Sequence, residues 1–230
     1  MKNIHISLFC LKDSCGENQE LIHFCDFYNP KDSEETYSGR IKMMERNILM
    51  RYKNFLGKKE LNELLDKLRL QYLKQEFIKL VIGPMDCNLG NTALLLTNNP
   101  NQNMPQIDLS PAYDLDISFN VSLELVEKGQ MEVLRTLDGK TASINSFIQE
   151  FKDISGFRDF LQEFYEKIQN KSVAKTIVDN AYEKTNFHFF EENSLKYIEF
   201  LNERFKQVRE ACKNLIPENK GVDQSETVLE

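Results

Sequence analysis

The sequence has no apolar run approaching the roughly 18 residues that a membrane-crossing helix needs, so a helical membrane span is not expected. Its N-terminus, MKNIHISLFCLKDSC, has one early lysine and a short apolar stretch but no small-residue cleavage site. It does not read as a signal peptide, and the expected compartment is the cytoplasm. Positive charge is not in excess: 29 Lys and Arg stand against 36 Asp and Glu, a net charge of -7. That excludes the global positive field on which non-specific nucleic-acid binding relies, and direct nucleic-acid binding is not expected. The five cysteines, Cys10, Cys15, Cys25, Cys87 and Cys212, form no C-x-x-C pair and no even framework, and read as reduced, packed thiols. The same lack weighs against a zinc site at His5, Cys10, Cys15, His23 and Cys25, which fall among alternating strand residues. The nine glycines are scattered without a glycine-rich loop, and no internal repeat is present.

What is present suffices for a core. Of 230 residues, 41% are hydrophobic and 28% charged, which rules out a wholly disordered chain. Residues 4–11 and 20–28 are rich in β-branched and aromatic side chains and flank a turn-rich KDSCGENQ, which predicts an antiparallel hairpin. Alternation in its second arm puts Leu21, His23, Cys25 and Phe27 on one face. Both arms are too apolar for an isolated hairpin, so the two strands need a larger sheet and present an edge open to strand addition. A polar connector over 29–39 is the expected boundary. Beyond it the apolar spacing turns helical over 40–56, with Gly57 as the expected C-cap, and over 59–82, stopped by Gly83-Pro84. Two short strands are expected at 92–97 and 105–109, joined by a tip of turn-forming residues. Helices resume from Ser143, with a stripe of Phe157, Phe160, Leu161, Phe164, Tyr165 and Ile168. They end in a long helix near 191–215 carrying Leu195, Ile198, Leu201, Phe205, Val208, Cys212 and Leu215. Its seven-residue repeat spans few heptads and reads as a core-facing bundle helix rather than a coiled-coil seam. The expected class is mainly α with a small β part (α+β). The expected divisions are an N-terminal hairpin over 1–29, a helical lobe over 40–216 and a flexible tail over 217–230.

One segment breaks the helical pattern: PMDCNLGNTALLL and, after the hairpin tip, IDLSPAYDLD. A buried helix ends at Gly83-Pro84, and Asp86 and Asn91 follow five residues apart. The hairpin then returns the chain to Asp114 and Asp116 after Pro111. Phosphoryl transfer needs this kind of set: a carboxylate to accept or orient the hydroxyl proton, and hard oxygen ligands for magnesium. A hairpin brings two loops distant in sequence to one place because its ends lie side by side. Taken singly, Asp86 reads as a solvated loop acid, Asn91 as a turn residue and Asp114 as a turn cap; the combination carries the signal.

The stretch EFIKLVIGPMDCNLGNTALLL…IDLSPAYDLDISF resembles the catalytic segment of HipA-like serine/threonine kinases. In that family an apolar helix ends in a D-x-x-x-x-N loop, followed by a hairpin and an (S/T)P-x-Y-D metal-binding segment. The resemblance is dense over about residues 76–119 and thin elsewhere. It implies a protein-kinase-like C-lobe of packed helices, with Asp86 as catalytic base, Asn91 and Asp114 as magnesium ligands, and ATP and Mg2+ as cofactors. It further implies transfer to a Ser or Thr hydroxyl, a toxin–antitoxin setting, and missing N-lobe strands supplied either by a separately encoded N-lobe or antitoxin-like partner or by a longer natural chain. On this alignment the 4–28 hairpin stands for the end of an N-lobe running into the hinge, with Phe24, Cys25 and Asp26 as nucleotide-contacting residues. The sequence departs from the family at Asn88, where a His is common, and at Gly90, where some members carry Lys. The larger departure is upstream. There is no glycine-rich loop, and Lys2 and Lys12, the only lysines before the expected hinge, do not sit where the ATP-contacting Lys belongs. Little activity is therefore expected from the chain alone. Two other readings stay open: a catalytically silent pseudokinase-like binding module, and a helical regulatory or scaffold protein.

Overall fold

The computed structural model describes residues 18–27, 36–82, 92–102, 104–111, 136–137, 140–141, 143–185, 188–213 and 215–216. Among them six α-helices and a three-stranded antiparallel sheet make a mainly helical α+β chain. Helix α1 spans Tyr37–Tyr52. Thr36 caps it by accepting a hydrogen bond from the Gly39 N–H at 2.9 Å. Its buried positions Tyr37, Ile41, Met44 and Ile48 recur at the three- and four-residue steps that place side chains on one helix face. Gly57 does not end α1, which stops at Tyr52. It precedes helix α2, Lys58–Ile82, and its N–H donates to the Glu60 carboxylate at 2.9 Å. A glycine between two helices serves either end. Here Glu60, three residues on, supplies the reciprocal half of a capping box, and that places Gly57 at the start of the second helix.

Along α2, Leu61, Leu65, Leu68 and Tyr72 form one buried stripe, which broadens until Glu76, Phe77, Lys79, Leu80, Val81 and Ile82 are all buried. After the 83–91 connection come strand β2, Ala93–Thr97, and strand β3, Gln106–Leu109. They pair as a hairpin with Leu94 opposite Leu109 and Leu96 opposite Ile107. Strand β1, Gln19–His23, pairs with the other side of β2, so the sheet order is β1-β2-β3. The 20–28 arm is thus strand only to His23. Phe24–Phe27 is a turn of 3-10 helix, which ends the alternation expected to carry Leu21 and His23 on to Cys25 and Phe27. The first arm, residues 4–11, lies outside the described residues. β1 gains its larger sheet from the internal hairpin: Ile22, Leu94 and Leu109 align across three strands on the core side. Two further short strands, β4 at Thr136–Leu137 and β5 at Lys140–Thr141, pair with each other.

The remaining helices are α3, Ile144–Phe151; α4, Phe157–Ile168; α5, Val173–Thr185; and α6, His188–Cys212. Ser143 and Ser146 form a reciprocal capping box at the start of α3. Gly156 precedes α4 with φ 76°, where a Cβ would meet the Leu70 side chain at 2.8 Å, so both conformation and space require glycine. Phe77 of α2 is fully buried at the centre of an aromatic cluster, with ring centroids of Phe164, Phe160, Phe157 and Phe147 at 5.3, 5.7, 6.2 and 6.3 Å. α6 packs against α2, α3, α4 and α5 and buries Leu201, Phe205, Val208 and Cys212. Leu195, expected on that stripe, is 80% exposed. Counting back four residues from Ile198 reaches Ser194 instead, so Leu195 falls off the repeat.

Candidate functional site

Asp86, Asn91 and Asp114 lie outside the described residues, as does Asp116. The structure does describe the points from which they spring: Ile82 and Thr92 on either side of the 83–91 connection, and Pro111 three residues before Asp114. Backbone hydrogen bonds bring these segments to one end of the sheet. Ser110 N–H donates to the Ala93 carbonyl at 2.9 Å, and Phe24 N–H donates to the Thr92 carbonyl at 2.8 Å. The start of β2, the exit of β3 and the residues after β1 therefore stand side by side. The cause is the antiparallel pairing, which sets the open end of the β2–β3 hairpin against the end of β1.

Side chains from the helices anchor this end. The Tyr197 hydroxyl of α6 donates to the carbonyl of Ile82, the last residue of α2, at 3.0 Å. Burial pushes the Tyr197 phenol well up, so it remains a donor across the neutral range. In the last turn of α2, Lys79 Nζ donates to the Glu76 carboxylate at 3.1 Å and reaches the Thr92 hydroxyl at 3.4 Å. The outer edge of β3 is held by α2. Lys67 donates to the Ile107 carbonyl at 3.1 Å, and the Gln71 side-chain oxygen accepts from Leu109 N–H at 3.0 Å. Lys67 also pairs with Asp108 at 2.5 Å, and Gln71 donates to the same carboxylate at 3.0 Å. Partial burial raises the Asp108 pKa, but the hydrogen bonds from Lys67, Gln71 and Gln106 and the charge of Lys67 outweigh it, so the carboxyl lies below its ordinary range.

Of the three residues expected at the hinge, Phe24 is fully buried and stacks on Tyr72 of α2, with centroids 5.9 Å apart. Its N–H is committed to Thr92 and is not a nucleotide donor in this arrangement. Asp26 is exposed and accepts the His23 N–H at 3.2 Å. The backbone of Cys25 lies between them in the 3-10 turn. Two buried groups lie further along α6. Burial lowers the Arg204 guanidinium to about 10, and its carbon stands 4.8 Å over the Phe200 ring. Burial raises the Cys212 thiol to about 11, which leaves it an inert core thiol.

Sequence reasoning passed over Glu76, Lys79, Gln71 and Tyr197. The available signal was two charges three residues apart inside the stretch expected to be fully buried. The carboxylate and amide oxygen expected of Asp114 and Asn91 are hard donors that fit magnesium by their chemistry, and the described residues on either side of these segments converge here. Among the described residues, no three of His, Cys, Asp and Glu gather as a metal site, and no helix is long and apolar enough to cross a membrane. Comparison with protein-family models, curated proteins and solved structures returned no match.

Proposed function

We propose that this chain is the catalytic lobe of a HipA-like serine/threonine kinase. Asp86 acts as the base, and Asn91 and Asp114 hold magnesium against the phosphates of ATP. The hydroxyl oxygen of a Ser or Thr attacks the γ-phosphorus as its proton passes to the Asp86 carboxylate. The bond from phosphorus to the β–γ bridging oxygen breaks, and ADP leaves. Magnesium supplies charge neutralisation at the phosphate oxygens. The observation that carries this reading is the pair of backbone hydrogen bonds, Ser110 to Ala93 and Phe24 to Thr92. They set the approaches to Asp86, Asn91 and Asp114 beside the segment expected to serve as hinge. The Lys and glycine-rich loop that hold a nucleotide are supplied either by a separately encoded partner or by a longer natural chain. Removing one well-placed electrostatic contact lowers turnover by about 10²–10³, so the chain alone transfers phosphate weakly or not at all.

The test is transfer of labelled γ-phosphate with Mg2+, by the chain alone and with a partner that carries a glycine-rich loop and a strand Lys. Transfer is expected only with the partner, and Asp114→Ala is expected to abolish it. Strong Mg2+-dependent transfer by the chain alone, lost in Asp86→Ala, would overturn the need for a partner. A chain that binds neither Mn2+ nor Mg-ATP, with or without the partner, would overturn the kinase reading and leave the helical scaffold.

A further inference from the structure

Among the described residues four large apolar side chains are exposed, and three of them, Leu49, Met50 and Phe55, lie within seven positions at the turn joining α1 to α2. Met50 is 65% exposed and Phe55 73%. An exposed apolar residue standing alone, such as Leu195 on α6, is ordinary, whereas a cluster marks a contact surface. The same turn is basic in an acidic chain. Over residues 50–60, Arg51, Lys53, Lys58 and Lys59 stand against Glu60, a charge of +3, so the total of -7 leaves -10 on the rest. All four cations are exposed. The carboxylates beside them are engaged: Glu60 accepts the Gly57 N–H at 2.9 Å, and Glu63 lies 3.8 Å from Lys59.

Shape and composition choose the occupant. Arg69 of α2 donates to Glu45 of α1 at 2.9 Å, so the two helices run side by side, and Met50 and Phe55 sit at the tip of the helical hairpin they form. Two or three apolar side chains on a tip offer far less than the roughly 1,200 Å² that a stable protein–protein contact buries. Such contacts are also depleted in lysine. An anionic bilayer requires no matching face: apolar side chains enter its headgroup layer while lysines sit in its negative surface potential. No described helix is long and apolar enough to cross a membrane, so the contact is peripheral.

We propose that the α1–α2 turn docks on an anionic lipid surface, with Phe55 and Met50 entering the interface and Lys53, Lys58 and Lys59 facing the headgroups. The docking stands apart from the kinase reading, since α2 puts about 36 Å between Lys58 and Ile82, beside the candidate site. The experiment is flotation of the full chain with vesicles of phosphatidylcholine, alone or with one-third phosphatidylserine. The chain is expected to float with the anionic vesicles only, and to be released at about 0.5 M NaCl, where screening acts within roughly 4 Å. Phe55→Ser should weaken binding about tenfold. Lys58→Gln/Lys59→Gln should weaken it about 25-fold, at roughly fivefold per lysine. Leu195→Ser should bind as wild type does. All of these changes replace exposed side chains, so far-UV circular dichroism should stay that of the wild type. Absence of flotation with anionic vesicles, equal flotation with neutral ones, or losses as large in Leu195→Ser as in Phe55→Ser would overturn the proposal. Self-association in ultracentrifugation that Phe55→Ser abolishes, without vesicle binding, would assign the tip to a second copy instead. Retention by polyglutamate without vesicle binding would assign it to an acidic protein.

Discussion

Replacing Tyr197 with Phe isolates one hydrogen bond at the base of the candidate site. Tyr197 is 2% exposed, and its hydroxyl donates to Ile82 O at 3.0 Å. Ile82 closes α2, so its carbonyl is among the four with no partner inside the helix. Phenylalanine keeps the ring and its stack on Phe200, where centroids lie 5.8 Å apart at 14°. The change therefore removes the donor to Ile82 while keeping the ring. A hydrogen bond contributes about 0.5–1.5 kcal/mol net, and an acceptor left unsatisfied in the interior raises the loss towards about 1–3 kcal/mol. A destabilisation of about 1–2 kcal/mol is expected. For a chain of this length that lowers Tm by roughly 2–8 °C. The sequence has no tryptophan, so far-UV circular dichroism during urea unfolding is the suitable assay. The midpoint should fall with the slope unchanged. Tyr197→Leu, which also removes the ring, should lose more. The reasoning is refuted if Tyr197→Phe stays within about 0.3 kcal/mol of wild type while Tyr197→Leu loses more than about 2 kcal/mol, because packing rather than the hydroxyl would then hold Ile82.

Two further expectations concern the scaffold. Phe77→Ala empties the centre of a four-ring contact and should cost about 3–5 kcal/mol in the same assay; a loss below about 1.5 kcal/mol would show that α3 and α4 collapse onto the vacancy. Asp108→Asn tests the tie between β3 and α2. The folded Asp108 pKa is lowered, so its stabilisation is present above the unfolded value near 3.9 and is lost as pH falls through the folded value. With the group partly exposed, the difference between wild type and variant should be about 1 kcal/mol or less at pH 7, begin to shrink below about pH 4 and vanish only once the pH has fallen below the folded value. A gap that persists or widens in acid contradicts this account.

Much of the helical frame was legible before any coordinates. Ile41, Met44 and Ile48 of α1, and Phe157, Leu161, Phe164 and Ile168 of α4, recur at intervals that a helix alone brings to one face, and these are the residues buried. The β2–β3 hairpin announced itself by two short apolar runs around a tip of asparagines and proline. Gly57 misled because a glycine between two helices does not say which end it serves; the reach of Glu60 to its N–H settles that. Phe24 misled because apolar, aromatic residues continue past His23, although the chain turns there and Phe24 goes inward onto Tyr72. The Glu76–Lys79 pair was hidden because helix periodicity does not register the sign of a charge or what lies opposite it.

The composition and the 3.6-residue rhythm by themselves determined a mainly helical chain with a small β part, since burying one stripe per helix is a local requirement met by residues close in sequence. The loop spacing of Asp86 and Asn91, the hairpin that follows and the resemblance they carry made these two and Asp114 the expected site residues, and all three lie outside the described residues. Only the tertiary structure decided that β1 joins the hairpin 70 residues later, that α2 seals the outer edge of β3 through Lys67 and Gln71, and that Tyr197 reaches Ile82 across 115 positions. These pairings join groups far apart in the chain. Which of the many possible partners meet depends on how the helices and sheet pack, and no local pattern encodes that.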